Sequence, residues 1–285
     1  MQLPLRYRRL LACCLVLLVP GLAYPAWRHF YPASSSPGWE YRAVQTGIDR
    51  VSALALDAQG RLYISQEFAD GKGTILRQNS DGSLSGVLNG LSKPDGLALF
   101  ANGVAVSQEG GAQPLLLLQG DQAKPLFVSD NVEGIVSDGH YLYLIEDKQQ
   151  GRLLRYDPSN GEVVTLRAGL DEGEAVTVCA DGRLFYSEKN KGWVKQWQPS
   201  GEDSLVQANL NQPGFLLCSA DGLWISEDST HMARLLLLDT AGQLQVVMQH
   251  LRSAQTIIAL APGRYLLAEQ GRKRILELQR RPLGI

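Results

Sequence analysis

The sequence is short of most features that would announce a chemistry. It has no excess of charge of one sign: 27 Lys and Arg against 29 Asp and Glu leave a formal net charge of −2. No overall field therefore draws the chain to nucleic acid or to an anionic membrane. No basic block interleaved with aromatics occurs either, which leaves nucleic-acid binding unsupported. Cysteine is scarce, with four in all, and Cys13 and Cys14 fall in an N-terminal apolar run. Only Cys179 and Cys218 remain in the body. The four histidines, His29, His140, His231 and His250, form no nucleophile pairing. Phosphate loops, zinc spacings and nucleotide fingerprints are missing, and so is any sustained helical period.

The N-terminus differs from the rest. Arg6, Arg8 and Arg9 precede an apolar run from Leu10 to Ala23, broken only by Pro20 and Gly21. A basic start, about 14 apolar residues and a small-residue end fit a secretory signal better than a spanning helix of roughly 20. Gly21-Leu22-Ala23 offers a cleavage site, but Pro25 would hinder a peptidase. Residues 1–23 are thus expected to be a signal peptide or an uncleaved membrane anchor, 24–38 a linker, and 39–285 an exported domain, periplasmic or extracellular. In both cases the basic flank stays inside and the body is exported; the membrane is touched only through the N-terminal segment, and only if that segment is uncleaved.

What the body does contain is a repeat. Six segments share a turn, a short apolar strand, an Asp-Gly-like turn, a second strand ending in Glu, a polar loop and a third strand. The glutamates Glu67, Glu109, Glu146, Glu188, Glu227 and Glu269 lie 42, 37, 42, 39 and 42 residues apart. A period near 40 with about four strands per repeat marks propeller blades. Asn102-Gly103, Asp138-Gly139, Asp181-Gly182 and Asp221-Gly222 supply the tight hairpins. The last repeat stops after its third strand, at 274–278, and the missing strand is found at 40–45. The reading is an all-β, six-bladed propeller of four antiparallel strands per blade, its ring closed by the N-terminal strand. Cys179 and Cys218 fall on inner strands of neighbouring blades and are expected to be small buried apolar residues rather than a pair.

The loop entering each first strand and the loop leaving each second strand open on the same face, so two rings of residues converge on one channel mouth. One is the six glutamates. A residue repeated in every blade more readily serves the repeat, although six carboxylates would also suit a cation. The other, just before each first strand, reads Ser52, Asp95, Glu133, Glu174, Pro213 and Gln255. Its one-sided acidic arc of Asp95, Glu133 and Glu174 suits a hard cation with Ca²⁺ foremost, since oxygen ligands on one side leave the other open to water or substrate. Asp and Glu beside Gly are also common turn residues. His231, in the loop after Glu227, falls on the same face as a candidate substrate contact.

Lys93-Pro94-Asp95-Gly96-Leu97-Ala98-Leu99, followed by Gly103 and Val104-Ala105-Val106, resembles the Pro-Asp-Gly blade motif of the gluconolactonase and regucalcin family. The resemblance implies a six-bladed propeller that hydrolyses sugar lactones with one divalent cation. It points to Asp95 as ligand and catalytic base and to Glu133, which precedes Gly134. Glu174 matches less closely because Ala175 replaces the glycine, and the family's Asn-Gly pairs are absent. The expected function is a metal-dependent hydrolase of small lactones or esters acting on a small molecule at the mouth. The alternative is a non-catalytic propeller that binds a protein, glycan or small molecule.

Overall fold

The computed structural model of the protein describes residues 23–281. The N-terminal run read above as signal or anchor, with Cys13 and Cys14, lies outside them apart from Ala23. No helix among the described residues is long and apolar enough to cross a membrane.

Six antiparallel sheets stand around a central channel. Their innermost strands are Val51–Leu56, Leu97–Phe100, Val132–Ser137, Gly173–Val178, Pro213–Ser219 and Ala254–Ala261, and we number blades I to VI in that order. Trp39–Thr46 pairs with Arg274–Arg280 as the outer strand of blade VI, closing the ring between the two ends of the chain. The stretch before it is built in as well. Residues 23–30 are helical, and Ser34–Ser35 adds a fifth strand to the edge of blade V.

Alternation along the strands builds the core between blades, where each sheet presents apolar side chains to its neighbour. Trp39 of the closing strand is 5% exposed and packs edge-on to Trp224 of blade V at 5.3 Å between centroids. The closure is thus fastened by side chains of the adjacent blade as well as by its ladder. Close approach of the inner strands depends on glycine. A Cβ on Gly96 would collide with the Glu133 carbonyl and the Ser107 hydroxyl, and one on Gly134 would stand 2.7 Å from the Glu174 carbonyl.

The cysteines correct the sequence reading. Cys179 and Cys218 are disulfide-bonded, with Cα atoms 5.1 Å apart. Cys179 follows the inner strand of blade IV and Cys218 lies in that of blade V, so the bond staples two neighbouring blades beside the channel. A sequence separation of 39 residues gives no hint that the lateral spacing falls within disulfide reach.

Candidate functional site: the acidic channel mouth

Each inner strand begins with the same backbone device. Arg50, Lys93, Asn131, Glu172, Gln212 and Ser253 all sit in the left-handed region, with φ between 46° and 54°. Their carbonyls accept the amides of Glu67, Glu109, Asp147, Lys189, Asp228 and Gln270, at 2.7 to 3.0 Å. Six non-glycine residues in a disfavoured conformation therefore lock the loop after every second strand against the start of the first. These six amide donors define the mouth ring.

That ring is not the six glutamates of the repeat. The glutamates divide by a shift of one residue between blades. Val51, Val132, Gly173, Pro213 and Ala254 lie opposite Gln66, Glu146, Glu188, Glu227 and Glu269. Gln66 and Gln108 thus occupy in blades I and II the position that Glu146, Glu188, Glu227 and Glu269 occupy in the others. Side chains at that position secure the loop before the inner strand. Gln108, Glu188, Glu227 and Glu269 accept backbone amides of Ser92, Asp171, Asn211 and Arg252 at 2.9 to 3.0 Å. Glu146 takes the Ser129 hydroxyl at 2.9 Å and the Arg152 guanidinium at 2.6 and 2.8 Å. Burial opposes its charge, but Arg152 and Ser129 outweigh burial and hold Glu146 below the usual carboxylate value. Glu67 and Glu109 sit one residue further on and turn into the mouth.

The same register corrects the inner ring. In blade V the position equivalent to Ser52, Asp95, Glu133, Glu174 and Gln255 is Gly214, and Pro213 pairs one step earlier. Blade V therefore brings no side chain there. Asp95, Glu133 and Glu174 are all buried, at 3%, 4% and 0% exposure.

The two rings enclose a polar cavity of about 240 Å³ into which Glu67, Asp95, Glu109, Glu133, Asp147 and Asp228 face, against two ammonium groups, Lys93 and Lys189. Lys93 pairs with Glu109 and stands 3.6 Å from Glu67. Lys189 pairs with Glu174 and stands 3.3 Å from Asp228. Gln270 Nε2 donates to Glu67 and Gln255 Nε2 to Asp228, each at 2.7 Å, and the Ser52 hydroxyl donates to Asp95. Carboxylate oxygens come within 4.8 Å of one another in two groups, Glu67–Asp95–Glu109 and Glu109–Glu133–Asp147. Glu174 belongs to neither: Lys189 pairs with its Oε1, while its Oε2 is buried without a hydrogen-bond partner. The charge is therefore lopsided, with the excess carboxylate gathered between blades II and III.

Burial is the leading cause of the resulting shifts. It pushes Asp95 well above the usual range, helped by the charges of Glu67 and Glu109 and opposed by Ser52 and Lys93. It pushes Glu133 well above its usual range too, with Glu174 and Asp95 adding to it. Glu67, Glu109 and Asp147 rise by burial as well. Glu174 is pushed up to about 8 by burial, with Lys189 opposing. Burial acts to lower both lysines, but their carboxylate neighbours raise them above the ordinary value.

As a ligand set, Glu109, Glu133 and Asp147 match a hard cation, since all three are oxygen donors. One of their atoms, Asp147 Oδ1, is buried without a hydrogen-bond partner, and a buried orphan of this kind calls for a ligand. Lys93 stands at the edge of both groups, since it pairs with Glu109, the residue they share. His231 does not line this cavity; its ring lies 5.7 Å from that of His29 at the rim. A larger cavity of about 610 Å³ occupies the other end of the channel, but its walls carry no titratable side chain.

No family model matches the chain, and no curated protein matches it in sequence. Solved structures do match. A gluconolactonase from Xanthomonas campestris superposes with a TM-score of 0.71 at 14% identity, over 86% of this chain and 91% of that one. An auxiliary nutrient binding protein from Bacteroides thetaiotaomicron gives 0.65 at 14% identity, over 81% and 69%. A chain of a nidogen/laminin complex gives 0.60 at 16% identity, over 69% and 79%. At such identities the likeness establishes the fold alone, and that fold serves an enzyme, a binding protein and a protein complex. The gluconolactonase likeness agrees with the resemblance seen in the Asp95 motif.

Proposed function

We propose that the protein is a cation-dependent hydrolase of small lactones or esters, acting at the acidic mouth of an exported propeller. The observation that carries this reading is the Glu109–Glu133–Asp147 group with its buried, unpartnered Asp147 oxygen. These three residues would hold the ion, Ca²⁺ being the best match to an all-carboxylate set. The chemistry such an ion would supply there is polarisation of a substrate carbonyl and a more acidic water.

The chain's own residues do the rest. Asp95, buried and held well above the usual carboxylate range by that burial, is suited to take a proton from the attacking water, because a carboxylate so raised is a stronger base than a solvated one. Ser52 fixes one Asp95 oxygen. Lys93 and Lys189 offset the surrounding carboxylates and allow a neutral or weakly acidic substrate to approach. A cavity of about 240 Å³ admits a single small ring rather than a polymer. The Cys179–Cys218 bond supports export, since such bonds persist in oxidising compartments.

The test is to strip the protein with a chelator, restore Ca²⁺, Mg²⁺, Mn²⁺ or Zn²⁺ singly, and follow lactone and ester hydrolysis. Activity should vanish on stripping and return with one ion. Asp95→Asn should keep ion binding and lose about 10²- to 10⁴-fold in turnover. An ion that binds without any hydrolysis would end the enzymatic reading. The second reading, a binding propeller, is favoured by the two lysines, which neutralise part of the mouth with no ion at all. It predicts ligand binding that chelation leaves unchanged.

A further inference from the structure

A second charged feature lies on the mouth face, at the rim of blades V and VI, and takes no part in the reaction above. The helix 23–30 and the residues after it rest on this rim. Arg272 donates to the Tyr31 carbonyl at 2.7 Å, and Arg252 Nη1 stands 3.3 Å from His29 Nε2. The Tyr31 ring packs on His250 at 4.4 Å between centroids. Arg28, His29, His231, Arg252 and Arg272 are thereby crowded together. Burial first, and then neighbouring positive charge, lowers the proton affinity of both His231 and Arg252. Arg272 has Glu269 as a partner. Among the described residues, Arg28 and Arg252 pair with no carboxylate, and the Nε of each is buried without an acceptor.

Aromatic surface adjoins this cationic cluster. Tyr24, Trp27 and Phe30 are 58%, 46% and 78% exposed, and Tyr31 is 37% exposed. Four large rings within eight residues are more than the scattered apolar exposure that needs no explanation. The apolar run from Leu10 to Ala23 leads straight into them.

We propose that this helix and rim dock on a bilayer containing anionic phospholipid, holding the acidic mouth beside the headgroup layer. Tyr and Trp favour the depth of the headgroups, and unpaired arginines are drawn to an anionic leaflet. The patch combines both, and the apolar run brings the chain to it from a membrane-seeking segment. An acidic protein would satisfy the arginines but would leave that run and the exposed rings without a purpose. The net charge of −2 conceals the patch because the acidic mouth offsets it. The two are mechanically joined. Gln270 faces the cavity, and the 3₁₀ turn Gln270–Arg272 carries Arg272 to Tyr31. Docking would therefore present the mouth to molecules at or released from the membrane surface.

The test uses the full chain with vesicles of phosphatidylcholine alone or mixed with phosphatidylglycerol, some lipids carrying bromine as a quencher. Trp27 emission, isolated by comparison with Trp27→Phe, should be quenched in the mixed vesicles. Amide exchange at 229–232 and 270–272 should slow by about fivefold or more, as expected for one arginine at an anionic surface. High salt or the Arg28→Glu/Phe30→Ser variant should remove both effects with the melting temperature unchanged, since neither residue lies in a blade. Equal quenching and exchange on the two vesicle types, or no contact with either, would overturn the proposal. Protection conferred by a lipid-free protein fraction and not by vesicles would overturn it in favour of a protein partner.

Discussion

Glu146 and Asp147 are consecutive, yet they do opposite things. Glu146 gives both oxygens to Arg152 and takes the Ser129 hydroxyl, while Asp147 turns into the mouth and leaves Oδ1 buried without a partner. The division between scaffold and site runs between these two residues, and each blade repeats it. Glu146→Gln should cost about 1–3 kcal/mol of stability, the usual effect of leaving buried hydrogen-bonding groups unmatched, and should leave any response to Ca²⁺ intact. Asp147→Asn should cost little and abolish that response. Denaturant titrations of both variants with and without Ca²⁺ separate the two outcomes.

The mouth carboxylates make stability depend on pH in an unusual direction. Glu174 is pushed from 4.5 to about 8, and Asp95 and Glu133 move the same way. A group that binds its proton more tightly when folded stabilises fully below its unfolded value, and that contribution is lost as pH rises through the folded value. The ion-free protein should therefore be most stable near pH 5 and lose a few kcal/mol by pH 8 to 9. A bound divalent ion should reverse the trend, raising the melting temperature more at pH 8 than at pH 5. Melts across this range, with chelator and with Ca²⁺, check both signs.

Lys189 is the counter-ion of Glu174, whose side chain is fully buried. Lys189→Met should be tolerated at pH 6, where Glu174 can hold a proton. As pH rises past 8 the same variant should fall progressively below the native protein in stability, because the native protein keeps its ion pair while Glu174 without Lys189 must retain its proton against the rising pH. A loss independent of pH would show that Lys189 contributes packing rather than charge.

The Cys179–Cys218 bond closes a loop of 39 residues. Chain entropy assigns such a loop about 4 kcal/mol at 25 °C. Cys179→Ala/Cys218→Ala should lower stability by about that amount, and reductant should lower the melting temperature of the native protein without affecting the double variant.

The fold was legible because it depends on a period. Turns, alternation and the unmatched strand at 40–45 are all local signals, and the ring closure follows from counting them. The site was harder, because a shift of one residue moves a side chain to another surface. Glutamate is the residue that repeats, but serine is the better marker of register. Ser65-Gln66-Glu67 and Ser107-Gln108-Glu109 align with Ser187-Glu188-Lys189 and Ser226-Glu227-Asp228. The glutamates thus follow serine by two residues in blades I and II and by one in blades IV and V. Ser65, Ser187 and Ser226 accept inner-strand amides at 2.7 to 3.1 Å, which fixes the offset. Read from serine, the mouth ring becomes Glu67, Glu109, Asp147, Lys189, Asp228 and Gln270. Lys189 then accounts for Glu174, and Asp147 joins Glu133. No spacing in the sequence reveals that Lys93 reaches from blade II to Glu67 of blade I, or that the two cysteines meet.

The calcium site is tested by soaking crystals of the protein in Ca²⁺. One ion should bind at the channel mouth, bonded to oxygens of Glu109, Glu133 and Asp147 at about 2.3–2.6 Å, with the Lys189–Glu174 pair intact. A mouth that stays free of the ion, with Lys93 and Lys189 still neutralising its carboxylates, would contradict that prediction.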